Sequence, residues 1–106
     1  MRFGNKYSAK KTYSELCGRM FDSKAEARRG EELALLEKAG EITELEYQAP
    51  YQLCLKPNIK IKVDFRYTKD GKQILEDVKG MGETREFRVK RAWLAEKYGV
   101  QVLLTK

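Results

Sequence analysis

The stretch from residue 59 to residue 80, IKIKVDFRYTKDGKQILEDVKG, constrains the fold of this chain most strongly. From Ile59 to Tyr67, apolar side chains alternate with charged ones, which is the pattern of a strand with one buried face. The pair Asp70 and Gly71 follows, and these residues favour the positive φ angles of a tight hairpin turn. An extended pattern resumes from Gln73 to Lys79. The stretch therefore predicts two antiparallel strands joined by a short turn.

The predicted hairpin brings acidic and basic side chains together. Asp64 lies on the polar face of the first strand. Asp77 and Lys79 are two residues apart on the second strand, so they share a face at a separation of about 6.6 Å along the chain. Because neighbours on paired strands lie close together, we expect Asp64, Asp77 and Lys79 to converge on one spot.

The composition limits the chemistry that such a spot can perform. The 106 residues include no histidine, which excludes Ser-His and Cys-His nucleophilic catalysis and most zinc sites. Any catalysis must therefore use carboxylates, lysine and a hard metal ion. The net charge of +6 favours a polyanionic partner, with nucleic acid as the leading candidate. The alternative is a small basic protein with an ordinary solvated surface.

The length of the chain fits a single domain spanning residues 1–106. The two cysteines, Cys17 and Cys54, lack CxxC spacing, and we expect both to be buried thiols of a reduced protein. No apolar run approaches the length of a membrane span. We therefore expect a soluble, cytoplasmic protein with no membrane partner.

Residues 1–21 are predicted to form a basic N-terminal arm or hairpin, with a small hairpin between Thr12 and Phe21. Basic arms with interspersed aromatic residues follow phosphate backbones and stack on bases. Lys10 and Lys11 are therefore candidate nucleic-acid-binding residues. A frayed terminus is the alternative.

A helical pattern runs from Asp22 to Gly40, with Gly40 as the predicted stop. Ser23 and Glu26 match the capping box S-x-x-E, so Glu26 can be explained as a cap alone. Glu26 also falls on the helix stripe that is predicted to bury Leu33 and Leu36, which directs its carboxylate inward. An inward carboxylate needs a partner, and a cation shared with the two aspartates would provide one.

Residues 41–55 predict a connection followed by a strand, in which Pro50 indicates a sheet edge or a β-bulge. Gln48 lies in this strand and is a candidate to face the acidic spot, where its amide would orient a water or a phosphate. A plain surface glutamine is the alternative.

A second helix is predicted from Glu83 to Tyr98, closed by Gly99. One face carries a run of basic residues: Arg85, Arg88, Lys90, Arg91 and Lys97. The run is suited to binding phosphates, with Arg85, Arg88 and Lys90 as the candidates, or it is a solvated face. Residues 100–104 are nearly all apolar and predict a last strand covered on both faces.

The predicted elements follow the order helix, strand, strand, strand, helix, strand, written αβββαβ. The fold class is α/β in the broad sense, an α+β arrangement around a mixed sheet, preceded by the short N-terminal arm or hairpin. The acids fall on the first helix and on the second and third strands.

With acids in this order, the chain resembles the PD-(D/E)XK nuclease superfamily, and in particular a small phage-encoded endonuclease branch. The resemblance covers about residues 21–104 and is carried by FDSKAEARR, LEKAGEI, DFRY and EDVKG. Val63 stands where the superfamily often has proline, and Asp77 stands where it more often has glutamate. The resemblance implies a restriction-endonuclease-like core over residues 22–106.

The resemblance also implies a function, a Mg²⁺-dependent endodeoxyribonuclease of low sequence specificity that serves phage DNA processing, with Mn²⁺ able to substitute. Asp64, Asp77 and Glu26 would bind the metal, and Lys79 would complete the catalytic set. Gln48, Arg85, Arg88, Lys90, Lys10 and Lys11 would bind the nucleic acid.

Besides a basic α/β domain that binds another protein, two alternatives that act on nucleic acid remain open on the sequence. One is a structure-selective resolvase of Holliday junctions or branched DNA, which would need a homodimer to cut two strands symmetrically. The other belongs to a different class, a nucleic-acid-binding module without catalysis. It predicts salt-sensitive binding that needs no Mg²⁺.

Overall fold

Two helices and a mixed sheet form an α+β fold in the computed structural model, which describes residues 10–79 and 82–105. In chain order the elements are β1 (Thr12–Ser14), β2 (Arg19–Phe21), α1 (Lys24–Lys38), β3 (Thr43–Cys54), β4 (Ile59–Lys69), β5 (Lys72–Val78), α2 (Arg85–Tyr98) and β6 (Val102–Thr105). The pair β1 and β2 forms the small N-terminal hairpin. The part of the predicted arm from residue 1 to residue 9 lies outside the described residues.

The main sheet has the strand order β3-β4-β5-β6. The first three strands are antiparallel, and β6 runs parallel to β5. Asp70 and Gly71 form the turn between β4 and β5 with φ angles of 52° and 77°, as their residue types predict. β3 is an edge strand that contains Pro50, which agrees with the sequence.

The helix ends follow the local sequence signals. Ser23 caps α1 by accepting the Glu26 backbone N–H, and Gly40 follows the helix with a φ of 81°. Thr84 caps α2, and Gly99 ends it in the left-handed conformation. These residues set where each helix begins and ends.

The apolar side of β4 is divided between two clusters. Ile61 and Val63 pack in a cluster with Leu94 of α2. Phe65 and Tyr67 pack in a second cluster with residues of α1, including Leu33. The change of cluster falls at Asp64, between the two apolar pairs. One strand therefore supports both helices, and Asp64 lies at the boundary.

Three expectations about burial are wrong in detail. β6 is an edge strand, so Leu103 is 50% exposed although the apolar run predicted cover on both faces. Leu36 lies at the margin of the buried α1 stripe and is exposed, whereas Leu33 is fully buried. Cys17 and Cys54 are free thiols and are only partly buried. Within the described residues, no helix is long and apolar enough to cross a membrane.

Candidate functional site

Strands β4 and β5 exchange side-chain hydrogen bonds where their regular pairing ends. The paired residues run from Lys69 and Lys72 to Phe65 and Glu76. Beyond that point the Asp64 backbone N–H donates to Asp77 Oδ1 at 2.9 Å, and the Val78 N–H donates to Asp64 Oδ2 at 2.8 Å. Two carboxylates thus take the place of backbone acceptors. This exchange brings Asp64 and Asp77 together, as the sequence predicts.

Gln48 connects this aspartate pair to helix α1. The register of β3 and β4 places Gln48 opposite Asp64, between the pairs Tyr47–Phe65 and Ala49–Val63. Its φ is 53°, a conformation that non-glycine residues rarely adopt. Its Nε2 donates to Glu26 Oε2 at 3.0 Å and to Asp64 Oδ1 at 3.2 Å. Gln48 therefore faces the acidic spot.

Glu26 is both part of the helix cap and part of the site. Its backbone N–H donates to Ser23 Oγ at 3.0 Å, which is the expected cap. Its carboxylate does not return to the Ser23 N–H; it accepts from the Asp22 N–H at 3.3 Å and from Gln48. The residue is only 4% exposed. The inward direction predicted from the helix stripe is correct, and the two interpretations of Glu26 are compatible.

Lys79 is held on the same face as Asp77. Its Nζ lies 2.7 Å from Asp77 Oδ2 and 3.7 Å from the centre of the Phe87 ring, in the first turn of α2. A ring face attracts an ammonium group, and the ion pair fixes its direction. The sequence predicted the pairing with Asp77 but not the contact with Phe87.

Burial raises the pKa values of the three acids, which we call the acidic cluster: Glu26, Asp64 and Asp77. Burial and then the charges of Asp64 and Asp22 raise the pKa of Glu26 to about 7. Burial and then the charge of Asp77 raise the pKa of Asp64 to about 6. Burial also raises the pKa of Asp77, although Lys79 opposes the shift. Burial is thus the main reason that the protonated forms are favoured, and repulsion between neighbouring acids adds to it for Glu26 and Asp64.

The donor chemistry of the acidic cluster fits a hard divalent cation, because such ions prefer carboxylate oxygens and water. In the part of the chain that is described, no three acidic, cysteine or histidine side chains already converge as metal ligands. The carboxylate oxygens are bonded to Gln48, Lys79 and backbone N–H groups. Metal binding by this cluster therefore stays a prediction.

The neighbouring acid, Glu76, lies on the opposite face of β5. It binds Arg29 of α1 through two hydrogen bonds of 2.8 Å and accepts a further one from the Tyr67 hydroxyl. Burial opposes ionisation of Glu76, but Arg29 and Tyr67 lower its pKa overall. Of the doublet Glu76-Asp77, Asp77 is thus the acid beside Lys79, as the strand period predicts.

The predicted nucleic-acid-binding residues lie in several places. Arg85 and Arg88 are exposed on α2, and Arg88 Nε lies 3.6 Å from Glu83 Oε1. Lys90 pairs with Glu86 at 3.1 Å and lines a pocket that also contains Lys79. Lys10 and Lys11 are exposed just before β1.

Two residues of the basic run on α2 already make hydrogen bonds within the protein, which the sequence did not predict. Arg91 makes two hydrogen bonds to Glu83, at 2.5 and 2.9 Å. Lys97 donates to the Leu53 carbonyl at 3.2 Å. Both residues therefore serve contacts within the fold, and they are poor candidates for binding a ligand.

Two lysines near the acidic cluster were not among the residues predicted to bind nucleic acid. Lys60 and Lys62 are exposed on β4 and line the pocket that contains Lys79 and Lys90, which has a volume of about 250 Å³. The strand period would have found them, because residues 60, 62 and 64 alternate with the buried positions.

One protein-family model matches residues 4–105, and its description is "Protein of unknown function (DUF1064)". No curated protein matches the chain, and no solved structure does.

Proposed function

We propose that this chain, which belongs to the DUF1064 family of proteins of unknown function, is a metal-dependent endonuclease that hydrolyses DNA phosphodiester bonds. The observation that carries the proposal is the acidic cluster, in which Glu26 and Asp77 are buried and Asp64 is partly buried, with Lys79 beside it. Gln48 links the Glu26 carboxylate to that of Asp64, Asp77 accepts the Asp64 backbone N–H, and the Lys79 ammonium pairs with Asp77. The pKa values of all three acids are raised. Perturbed acids grouped in this way are typical of functional sites. A restriction-endonuclease-like core and a phage origin belong to the same proposal.

In the proposed site, Asp64, Asp77 and Glu26 would hold a Mg²⁺ or Mn²⁺ ion. When bound, the ion supplies charge neutralisation at the phosphate and an acidified water. The Lys79 side chain donates hydrogen bonds from Nζ to the phosphate oxygens, where negative charge grows in the transition state. Phe87 and Asp77 hold the Lys79 ammonium in position. The basic residues nearby contact the backbone without reading bases, which gives low sequence specificity.

The first test is cleavage of supercoiled plasmid DNA by the wild-type protein and by Asp77→Asn. Asparagine is preferable to alanine here, because its side-chain oxygen can still accept the Asp64 backbone N–H. We expect cleavage with Mg²⁺, none with EDTA, and a rate for Asp77→Asn that is lower by about 100-fold or more. Circular dichroism checks that the variant is folded.

The adjacent residue offers a matched control, Glu76→Gln. This change removes a charge from the same strand but from the face that contacts Arg29. We expect a loss of about 1.5–3 kcal/mol in the free energy of unfolding, because charge-assisted hydrogen bonds are weakened. Cleavage per folded molecule should be unchanged.

The result that would overturn the proposal is a wild-type protein that cleaves no DNA with Mg²⁺ or Mn²⁺. If that protein still bound DNA in a salt-dependent way, the binding module without catalysis would be the correct function. If branched DNA were cleaved much faster than plasmid, the substrate assignment would change to the resolvase and the catalytic residues would stand.

A further inference from the structure

A second pocket lies at the Glu26 end of the acidic cluster, whereas Lys79 pairs with Asp77 at the other end. It has a volume of about 250 Å³ and is lined by Arg19, Met20, Asp22, Glu26, Gln48 and Lys62. Glu26 and Gln48 belong to the proposed active site, so this pocket opens directly beside it. We call it the Arg19 pocket.

Arg19 of β2 is held in place by aromatic rings. Its guanidinium carbon lies 5.2 Å from the centre of the Phe21 ring and 4.8 Å from that of Tyr47. Such contacts stabilise a planar cation and limit its motion. The side chain is therefore ordered before any ligand arrives, which lowers the entropic cost of binding.

Within the described residues, Arg19 forms no ion pair with a carboxylate, whereas Arg29, Arg66 and Arg91 each bind one. Its single hydrogen bond within the described part is a long one, from Nε to the Met20 carbonyl at 3.4 Å. The terminal N–H groups thus keep their donor capacity. A guanidinium fork with free donors is well suited to a phosphate group.

Lys62 links the Arg19 pocket to the pocket that contains Lys79. It is a lining residue of both pockets, and it precedes Asp64 by two residues on β4. Lys60 precedes Lys62 by two residues, so it lies on the same face of β4 about 6.6 Å away along the strand. Basic residues therefore continue from the Arg19 pocket, beside Glu26, to the pocket that contains Lys79.

We propose that Arg19 and Lys62 form a phosphate-binding half-site for the nucleic-acid backbone, on the Glu26 side of the acidic cluster. Lys60 and Lys90 bind the backbone on the Lys79 side. A DNA strand that crosses β4 at Asp64 then contacts the half-site of Arg19 and Lys62 and the pair Lys60 and Lys90. The phosphodiester bond to be cut lies between these two contacts. This inference rests on the proposed function, because it assigns the direction in which the substrate of the same site lies.

The test measures binding of a fluorescein-labelled DNA duplex by fluorescence anisotropy in EDTA, so that binding is observed without metal-dependent cleavage. Salt is varied from about 50 to 200 mM. The variants are Arg19→Gln and Lys62→Gln. Their controls are Arg28→Gln, an exposed arginine of α1, and Lys69→Gln, at the far end of β4.

Each half-site variant should bind more weakly and lower the slope of log K against log salt by about 0.9, the value for one lost contact with a duplex phosphate. The control variants should keep the wild-type slope. Arg19→Lys keeps the charge, so it should restore most of the slope. A purely structural role for Arg19 would change the melting temperature and leave the slope as it is.

The outcomes separate this inference from the proposed function. If the wild type binds and cleaves DNA, but Arg19→Gln and Lys62→Gln keep the full slope, the half-site is wrong and the endonuclease stands. If the two variants lose slope but the wild type never cleaves, the half-site stands and the catalytic assignment falls. A wild type that does not bind DNA overturns both.

Discussion

The side chain of Gln48 favours the ionised forms of two acids in the acidic cluster, Glu26 and Asp64. Its amide donates to both Glu26 and Asp64, and each hydrogen bond favours the ionised acid. It does so from a backbone with a φ of 53°, which costs about 1 kcal/mol or more for a residue that is not glycine. Strained residues of this kind tend to be found at functional sites.

Replacing Gln48 by methionine should therefore raise the pKa values of the two acids. Methionine has a similar length and no N–H donor, so the pKa of Glu26 should rise above about 7 and that of Asp64 above about 6. NMR titration of the side-chain carboxyl carbons measures both values. Gln101→Met, at an exposed position, is the control. Unchanged pKa values in Gln48→Met would show that the amide does not support the charged forms.

Some of these residue-level features could be predicted from the sequence, and others could not. Alternation along β4 and β5 located Asp64, Asp77 and Lys79, because the side-chain period of a strand is local information. The φ of Gln48 and the ring contact between Lys79 and Phe87 depend on how β3 and α2 pack. Tertiary packing of this kind leaves no regular spacing in the sequence.

At the level of elements, helix α1 approaches the sheet closely at Gly30. A Cβ atom at this position would lie 2.7 Å from Phe21 Cζ and 3.3 Å from Phe65 Cε1. Phe21 cannot easily move, because it is fully buried and packs against the rings of Tyr47 and Phe65. The glycine therefore sets the distance between α1, which carries Glu26, and the sheet.

Gly30→Ala should destabilise the protein, although alanine is the better helix former. Overpacking costs about 1–3 kcal/mol, which outweighs the roughly 0.8–1 kcal/mol gained in helix propensity, so we expect a net loss of about 1 kcal/mol. Chemical denaturation measures this difference. In the double variant Phe21→Leu/Gly30→Ala, the added methyl group should cost less, because the ring is gone. A more stable Gly30→Ala protein would contradict the close approach.

The elements themselves were largely predictable. The turn at Asp70-Gly71 and the caps at Ser23, Gly40 and Gly99 are encoded by residues with special backbone preferences. The exposure of β6 could not be predicted, because an apolar run does not reveal whether its strand lies inside a sheet or at its edge.

At the scale of the whole molecule, the acidic cluster makes stability depend on pH. The folded pKa values of Glu26 and Asp64, about 7 and about 6, exceed the ordinary values of 4.5 and 3.8. The folded state therefore binds more protons than the unfolded state between those limits. The stabilising contribution is complete below the ordinary pKa values and is lost as the pH rises through about 6 and 7.

The metal-free protein should thus melt at a higher temperature at pH 5.5 than at pH 8, whereas Mg²⁺ should raise the melting temperature mainly at pH 8. A cation that binds the ionised acids replaces the protons and stabilises the folded state. Thermal unfolding followed by circular dichroism, with EDTA or with Mg²⁺, measures both effects. Glu26→Gln should flatten the pH dependence near pH 7. A melting temperature that rises steadily towards pH 8 in EDTA would contradict the raised pKa values.

The hydrogen-bond exchange between the two aspartates has a consequence for the ancestry of chains like this one. Asp77 accepts the backbone N–H of Asp64, and Asp64 accepts that of Val78. An apolar residue at either position would leave a backbone donor unpaired, at a cost of about 1–3 kcal/mol. A homologue without the proposed endonuclease activity would therefore tend to keep both aspartates for their architecture alone. Under that proposal, the residue found at position 79 should distinguish active from inactive homologues better than the acids do.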